Sequence, residues 1–153
     1  MKIYAPLLIT ILFLSACNQS PKEIDKVGSK INGTWKLVSS LSITKGDTVN
    51  TSPPKNVEMI KILNDTHFAF FKHDLNKGKG TDATFDSGSG TYSLNGDNYK
   101  EHLAYCSARE WENHDFNFKV TLNQDTLTQS GIEKIENLNI NREIVEVYVR
   151  VMK

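Results

Sequence analysis

The sequence predicts an all-β domain, an antiparallel up-and-down barrel of about eight to ten strands. Three observations carry that prediction. Apolar residues recur with a period of two over most of the chain, as in Phe116, Phe118, Val120 and Leu122 set against Lys119 and Thr121. A leucine-asparagine pair followed closely by aspartate recurs three times, at Leu63-Asn64-Asp65, Leu94-Asn95-Gly96-Asp97 and Leu122-Asn123-Gln124-Asp125, and such residues accept the backbone angles of tight hairpins. No stretch beyond the N-terminus shows a helical period of useful length. Many short strands joined by tight turns must protect their edges, and closure into a barrel does so.

The chain begins with a different kind of segment. Lys2 gives a positive start, Ile3 to Leu14 form an apolar run, and the small residues Ser15 and Ala16 precede Cys17, the order of a cleavable secretory signal. The run is too short to remain as a span, which takes roughly 20 apolar residues. Residues 1–16 are therefore expected to be a signal peptide. Residues 17–30 are polar and poor in large apolar groups, so they are expected to form a flexible tether. The folded domain is expected over residues 31–153, a length that supports one core.

Within that domain the strands follow in order. Gly33 to Ile43 place Trp35, Leu37, Leu41 and Ile43 on one face and Lys36, Ser40 and Ser42 on the other, and Lys45-Gly46-Asp47 offers a turn. Further strands are expected at Val57 to Leu63, His67 to His73, Gly90 to Leu94, Asn98 to Cys106, His114 to Leu122, Thr126 to Ser130 and Glu143 to Met152. The polar segment Lys77 to Ser89 reads as a rim loop, and Ile132 to Asn139 as a short turn or loop.

Charge and cysteine content narrow the function. Eighteen basic residues balance eighteen acidic ones, so nothing favours nucleic acid as a partner. Besides Cys17 there is only Cys106, too few for a disulfide framework or a cysteine-rich metal site within the domain, and Cys106 reads as a small buried hydrophobe. His67 and His73 share a strand face but stand about 20 Å apart at 3.3 Å per residue, too far for one ion. No metal site, cofactor or catalytic residue is assigned, and no serine lies in a nucleophile elbow.

A barrel of this size either fills with side chains or holds one small ligand. On the strand from Asn98, the face carrying Tyr99, Glu101, Leu103 and Tyr105 is the more apolar and is expected to point inward, taking the Glu101 carboxylate with it. On the last strand Tyr148 and Arg150 share a face with Ile144, Glu146 and Met152, opposite Val145, Val147, Val149 and Val151; the valine face is the more obvious core face, and the mixed face, if it looks inward, would let Arg150 meet Glu101 or a ligand carboxylate. The candidate ligand-binding residues are thus Tyr99, Glu101, Tyr105, Trp111, Tyr148 and Arg150. The rival expectations are a filled barrel that serves as a structural or interaction protein, and an enzyme using Glu101 for proton transfer.

Two resemblances sharpen this. Leu14-Ser15-Ala16-Cys17 resembles the bacterial lipobox, which implies cleavage before Cys17, lipidation of that residue and attachment to a membrane; Asn18 rather than aspartate implies the outer membrane of a Gram-negative cell envelope. Gly33-Thr34-Trp35 resembles the Gly-X-Trp opening of lipocalins, and with Gly90-Thr91-Tyr92 and the closing Glu146 to Val151 the domain is similar to lipocalin-like lipoprotein families of unknown function. That resemblance implies that Trp35 plugs one end of the barrel, that Arg142 or Arg150 packs across it, and that the partner is a small hydrophobic or amphipathic molecule. Fatty-acid-binding proteins, relatives of lipocalins, carry a similar arginine and tyrosine two apart on their final strand, in the opposite order.

Overall fold

The computed structural model describes residues 30–81 and 83–152. The expected signal peptide and the lipidation position Cys17 lie outside the described residues. Nine strands form one antiparallel sheet: β1 (Gly33–Thr44), β2 (Asp47–Asn50), β3 (Val57–Leu63), β4 (His67–Asp74), β5 (Phe85–Asn95), β6 (Asn98–Cys106), β7 (His114–Asn123), β8 (Thr126–Ile135) and β9 (Ile140–Arg150). The strands pair in sequence order from β3 to β9, and β1 pairs with both β3 and β9, closing an eight-stranded barrel. β2 is extra. It pairs with Leu41 to Thr44 of β1 after β1 has parted from β3, and its four exposed residues keep the leftover edge short.

The turns sort the barrel into two ends. Asn95 pairs with Asn98 and Asn123 with Thr126, leaving two-residue loops in which Gly96 and Gln124 adopt positive φ, and the Asn64 side chain caps the β3 to β4 turn through the Thr66 and His67 amides. All three repeated leucine-asparagine turns therefore fall at one end, beside Trp35. The opposite end carries the longer connections: residues 51–56, 75–84 and 107–113, the last with a 3₁₀ turn at Arg109–Trp111, and a second 3₁₀ turn at Glu136–Leu138. Asp74 pins the 75–84 loop by accepting the Asn76, Gly78 and Thr84 amides, and those bonds hold its carboxyl below the usual range.

Trp35 is fully buried, and its indole N–H donates to the Ile31 carbonyl at 2.7 Å. The Arg150 guanidinium lies 4.1 Å from the indole centroid, donates to the Asn32 and Lys30 carbonyls and pairs with Asp125 at 3.3 Å. Of the two arginines the resemblance left open, Arg150 is the one that stacks on Trp35. Gly33 has φ +137, and a Cβ there would sit 2.8 Å from Arg150 Nη1, so the first residue of Gly-X-Trp makes room for this stack.

Two bulges correct the expected side-chain directions. Between Leu37 and Ser39 the register with β9 shifts by one, so Val38 is the extra residue. Trp35 and Leu37 point inward as expected, but beyond the bulge Ser40 and Ser42 face the interior instead of Leu41 and Ile43. On β6 the shift between the pairs Gly90 to Leu103 and Ser89 to Tyr105 makes Ala104 the extra residue, turning Tyr105 outward to 69% exposure and Cys106 inward. Gly90 permits that kink, since a Cβ would lie 1.8 Å from the His102 carbonyl. β5 starts at Phe85, so Phe85 to Ser89 belong to a strand rather than to the rim loop; Ser87 and Ser89 face outward and Gly88 lies under Phe70.

Candidate functional site

On β9 the mixed face points inward: Ile144 and Tyr148 are buried, Arg142 and Glu146 line interior space, and Val149 is 37% exposed. The valines, for all their apolarity, cover the outside. The interior at the open end is hollow, a cavity of about 310 Å³ walled by Phe70, Leu103, Trp111, Phe116, Phe118 and Tyr148 among others. A second lobe of about 260 Å³ runs toward Ser40, Ser42, Thr51 and Pro53 and shares Met59, Lys72, Glu133, Arg142, Ile144 and Glu146 with the first. One lobe is aromatic and the other rich in hydroxyls.

The floor is ionic. β3 alternates Val57, Met59, Lys61 and Leu63 inward, which drives Lys61 into the barrel while Ile62 stays 39% exposed outside. Lys61 pairs with Glu101 of β6 and donates to Gln129 Oε1 of β8 at 2.8 Å; Tyr99 donates its hydroxyl to the same Glu101 oxygen at 2.8 Å. Lys61, Glu101 and Gln129 are 4%, 7% and 3% exposed, so this is a buried charge pair whose desolvation is offset by the mutual attraction and by the bonds to Gln129 Oε1 and from Tyr99. The lysine also lies 5.3 Å from the ring centroids of Phe68 and Tyr99.

A second acid pair sits beside it. The Tyr148 hydroxyl donates to Glu146 Oε2 at 2.6 Å. Burial raises the Glu146 carboxyl above its usual value, with Glu133 and Glu101 adding to the rise and Lys61 and the tyrosine bond opposing it. Burial and then the Glu146 charge raise the Tyr148 phenol, and burial and the Glu101 charge raise that of Tyr99, so both remain donors at neutral pH. At the mouth Arg142 is held by Glu133 at 2.7 Å and stands 5.7 Å from the Trp111 ring centroid.

Of the six candidate ligand-binding residues, the structure brings Glu101, Trp111 and Tyr148 to the cavity wall. Tyr99 lies behind the wall, where it holds Glu101 and packs 5.0 Å from Tyr92. Tyr105 is outside, beside a shallow surface groove with Phe71, Ser87 and Ser89, and Arg150 is engaged at the plugged end. Lys61, Gln129, Glu133 and Arg142 complete the site. A lysine between Ile60 and Ile62 reads as a solvent-facing residue; the available signal was that it shares parity with Met59 and Leu63.

A closed antiparallel barrel with a tryptophan and arginine plug at one end and a hollow at the other is a lipocalin-like barrel. The chain belongs to the family described as Domain of unknown function (DUF4488), which matches residues 30–153. No curated protein matches it. Among solved structures it is similar to a lipocalin-like protein from Bacteroides uniformis, with 14% identity and a TM-score of 0.48 over 78% of this chain and 97% of that one. It is also similar to an uncharacterized protein from Bacteroides eggerthii, with 13% identity and a TM-score of 0.46 over 78% and 98%.

Proposed function

We propose that this chain is a lipid-anchored envelope protein that holds one small, partly apolar molecule in its barrel. The observation that carries the reading is the hollow itself: about 310 Å³ with aromatic walls and a few fixed polar groups, the make-up of a small-molecule site rather than of a packed core. Attachment to the membrane rests on Leu14 to Cys17, since acyl chains on one residue anchor durably at about 0.8 kcal/mol per buried methylene. The test is thermal unfolding of the chain across a panel of lipids and metabolites, alongside Ala108→Trp, which fills the mouth. A ligand raises the melting temperature of the natural chain and not of the variant; no shift with any compound counts against the carrier. For the anchor, Cys17→Ala moves the protein from the membrane to the soluble fraction, and an unchanged distribution refutes it.

A second reading has its own observation. Phe85 and Tyr105 are 66% and 69% exposed on the outside of β5 and β6, which suits an interaction protein working through its outer wall. Under that reading Tyr105→Ala abolishes function and Ala108→Trp leaves it intact.

A further inference from the structure

We infer that the floor of the cavity receives an uncharged group that accepts and donates hydrogen bonds side by side, such as a carboxamide, a lactam or a ureide edge, and not an acid. This rests on the reading of the barrel as a small-molecule carrier. Lys61 has donors only, so Gln129 must turn its Oε1 toward it and its Nε2 away. Glu101 Oε1 already accepts from both Lys61 and Tyr99, which leaves Oε2 open. Neither Gln129 Nε2 nor Glu101 Oε2 has a partner among the described residues. Every fully enclosed side-chain nitrogen and oxygen there has one, so these two atoms reach the open space that their residues line.

The floor thus presents one N–H donor and one carboxylate acceptor on side chains that are themselves more than nine-tenths buried. A carboxamide satisfies both, its carbonyl accepting from Gln129 and its N–H donating to Glu101. An entering carboxylate meets the free oxygen of Glu101, and the charge of Lys61 is already matched, so it loses its hydration without a counter-charge. The rest of the ligand lies against Leu103, Trp111, Phe116 and Phe118, which calls for a ring or a short hydrocarbon body. An acid could still meet Lys72 or Arg142 at the mouth, so the test separates the two depths.

Calorimetric titration of the purified full chain with 1-naphthylacetamide, 1-naphthylacetate and 1-methylnaphthalene reads this directly. The amide binds at least tenfold tighter than the acetate. Gln129→Glu, which keeps an oxygen for Lys61 but replaces the N–H donor with a second acceptor oxygen and its charge, weakens the amide about tenfold and leaves the hydrocarbon unchanged. Glu101→Gln, which can turn an N–H toward the cavity, shifts the preference toward the acetate. If the hydrocarbon binds and the amide has no advantage over the acetate, or keeps its advantage in Gln129→Glu, the inference is overturned while the carrier reading stands. If none of the three binds, both fall.

Discussion

The two ends of the barrel are each built around a tryptophan with an arginine over it, and they do opposite things. At the plugged end Arg150 lies 4.1 Å from Trp35, its Nη1 and Nη2 committed to backbone carbonyls, its Nε 3.3 Å from the Asp125 carboxylate, and its partner ring fully buried. At the open end Arg142 stands 5.7 Å from Trp111, tied among the described residues to the Glu133 side chain alone, with its own side chain 37% exposed. Backbone carbonyls are fixed points, and side-chain carboxylates are not. The same residue pair is a structural rivet where the main chain holds it and a wall where only side chains do.

The largest effect that can test this contrast is at Trp35. Trp35→Ala removes a wholly buried ring and is expected to cost about 3–5 kcal/mol, read as a lowered urea midpoint. Next comes the floor. Lys61→Met and Glu101→Leu are each expected to cost about 3–5 kcal/mol, because each strands a buried charge, whereas the double variant recovers at least half of the summed loss in a double-mutant cycle. The arginines then separate the ends: Arg150→Ala is expected to cost about 2 kcal/mol through its charge-assisted bonds, and Arg142→Ala at most about 1 kcal/mol, because its ion pair is partly solvated. Equal losses would erase the distinction.

The smallest effect is in pH. Glu146 has a raised carboxyl in the folded chain, so its contribution favours the folded state while protonated and is lost as pH rises from the ordinary glutamate value through the raised one. Glu146→Gln is expected to flatten that fall in a series of urea melts. Asp74, held low by backbone amides, acts with the opposite sign, its contribution present at neutral pH and lost on acidification.

The plugged end was legible in the sequence because its signals are local. The three leucine-asparagine turns, Gly33 before Trp35 and the alternation of β7 need no knowledge of distant pairing. The open end was not, because one extra residue in a strand inverts every side chain beyond it. Val38 and Ala104 do this on β1 and β6, sending Ser40 inward and Tyr105 out; neither residue itself announces a bulge, and the one hint is Gly90 on the strand facing Ala104. The choice between Arg142 and Arg150 likewise depends on the register of β9 against β1, which exists only once the barrel has closed. Lys61 was hidden for a related reason: its burial is bought by Glu101 and Gln129, 40 and 68 residues away.

The most direct test of the hollow end is native mass spectrometry of the chain purified from the cells that make it. The account predicts one small molecule per chain, lost in Ala108→Trp. A bare natural chain, or the same adduct on the blocked variant, would contradict it.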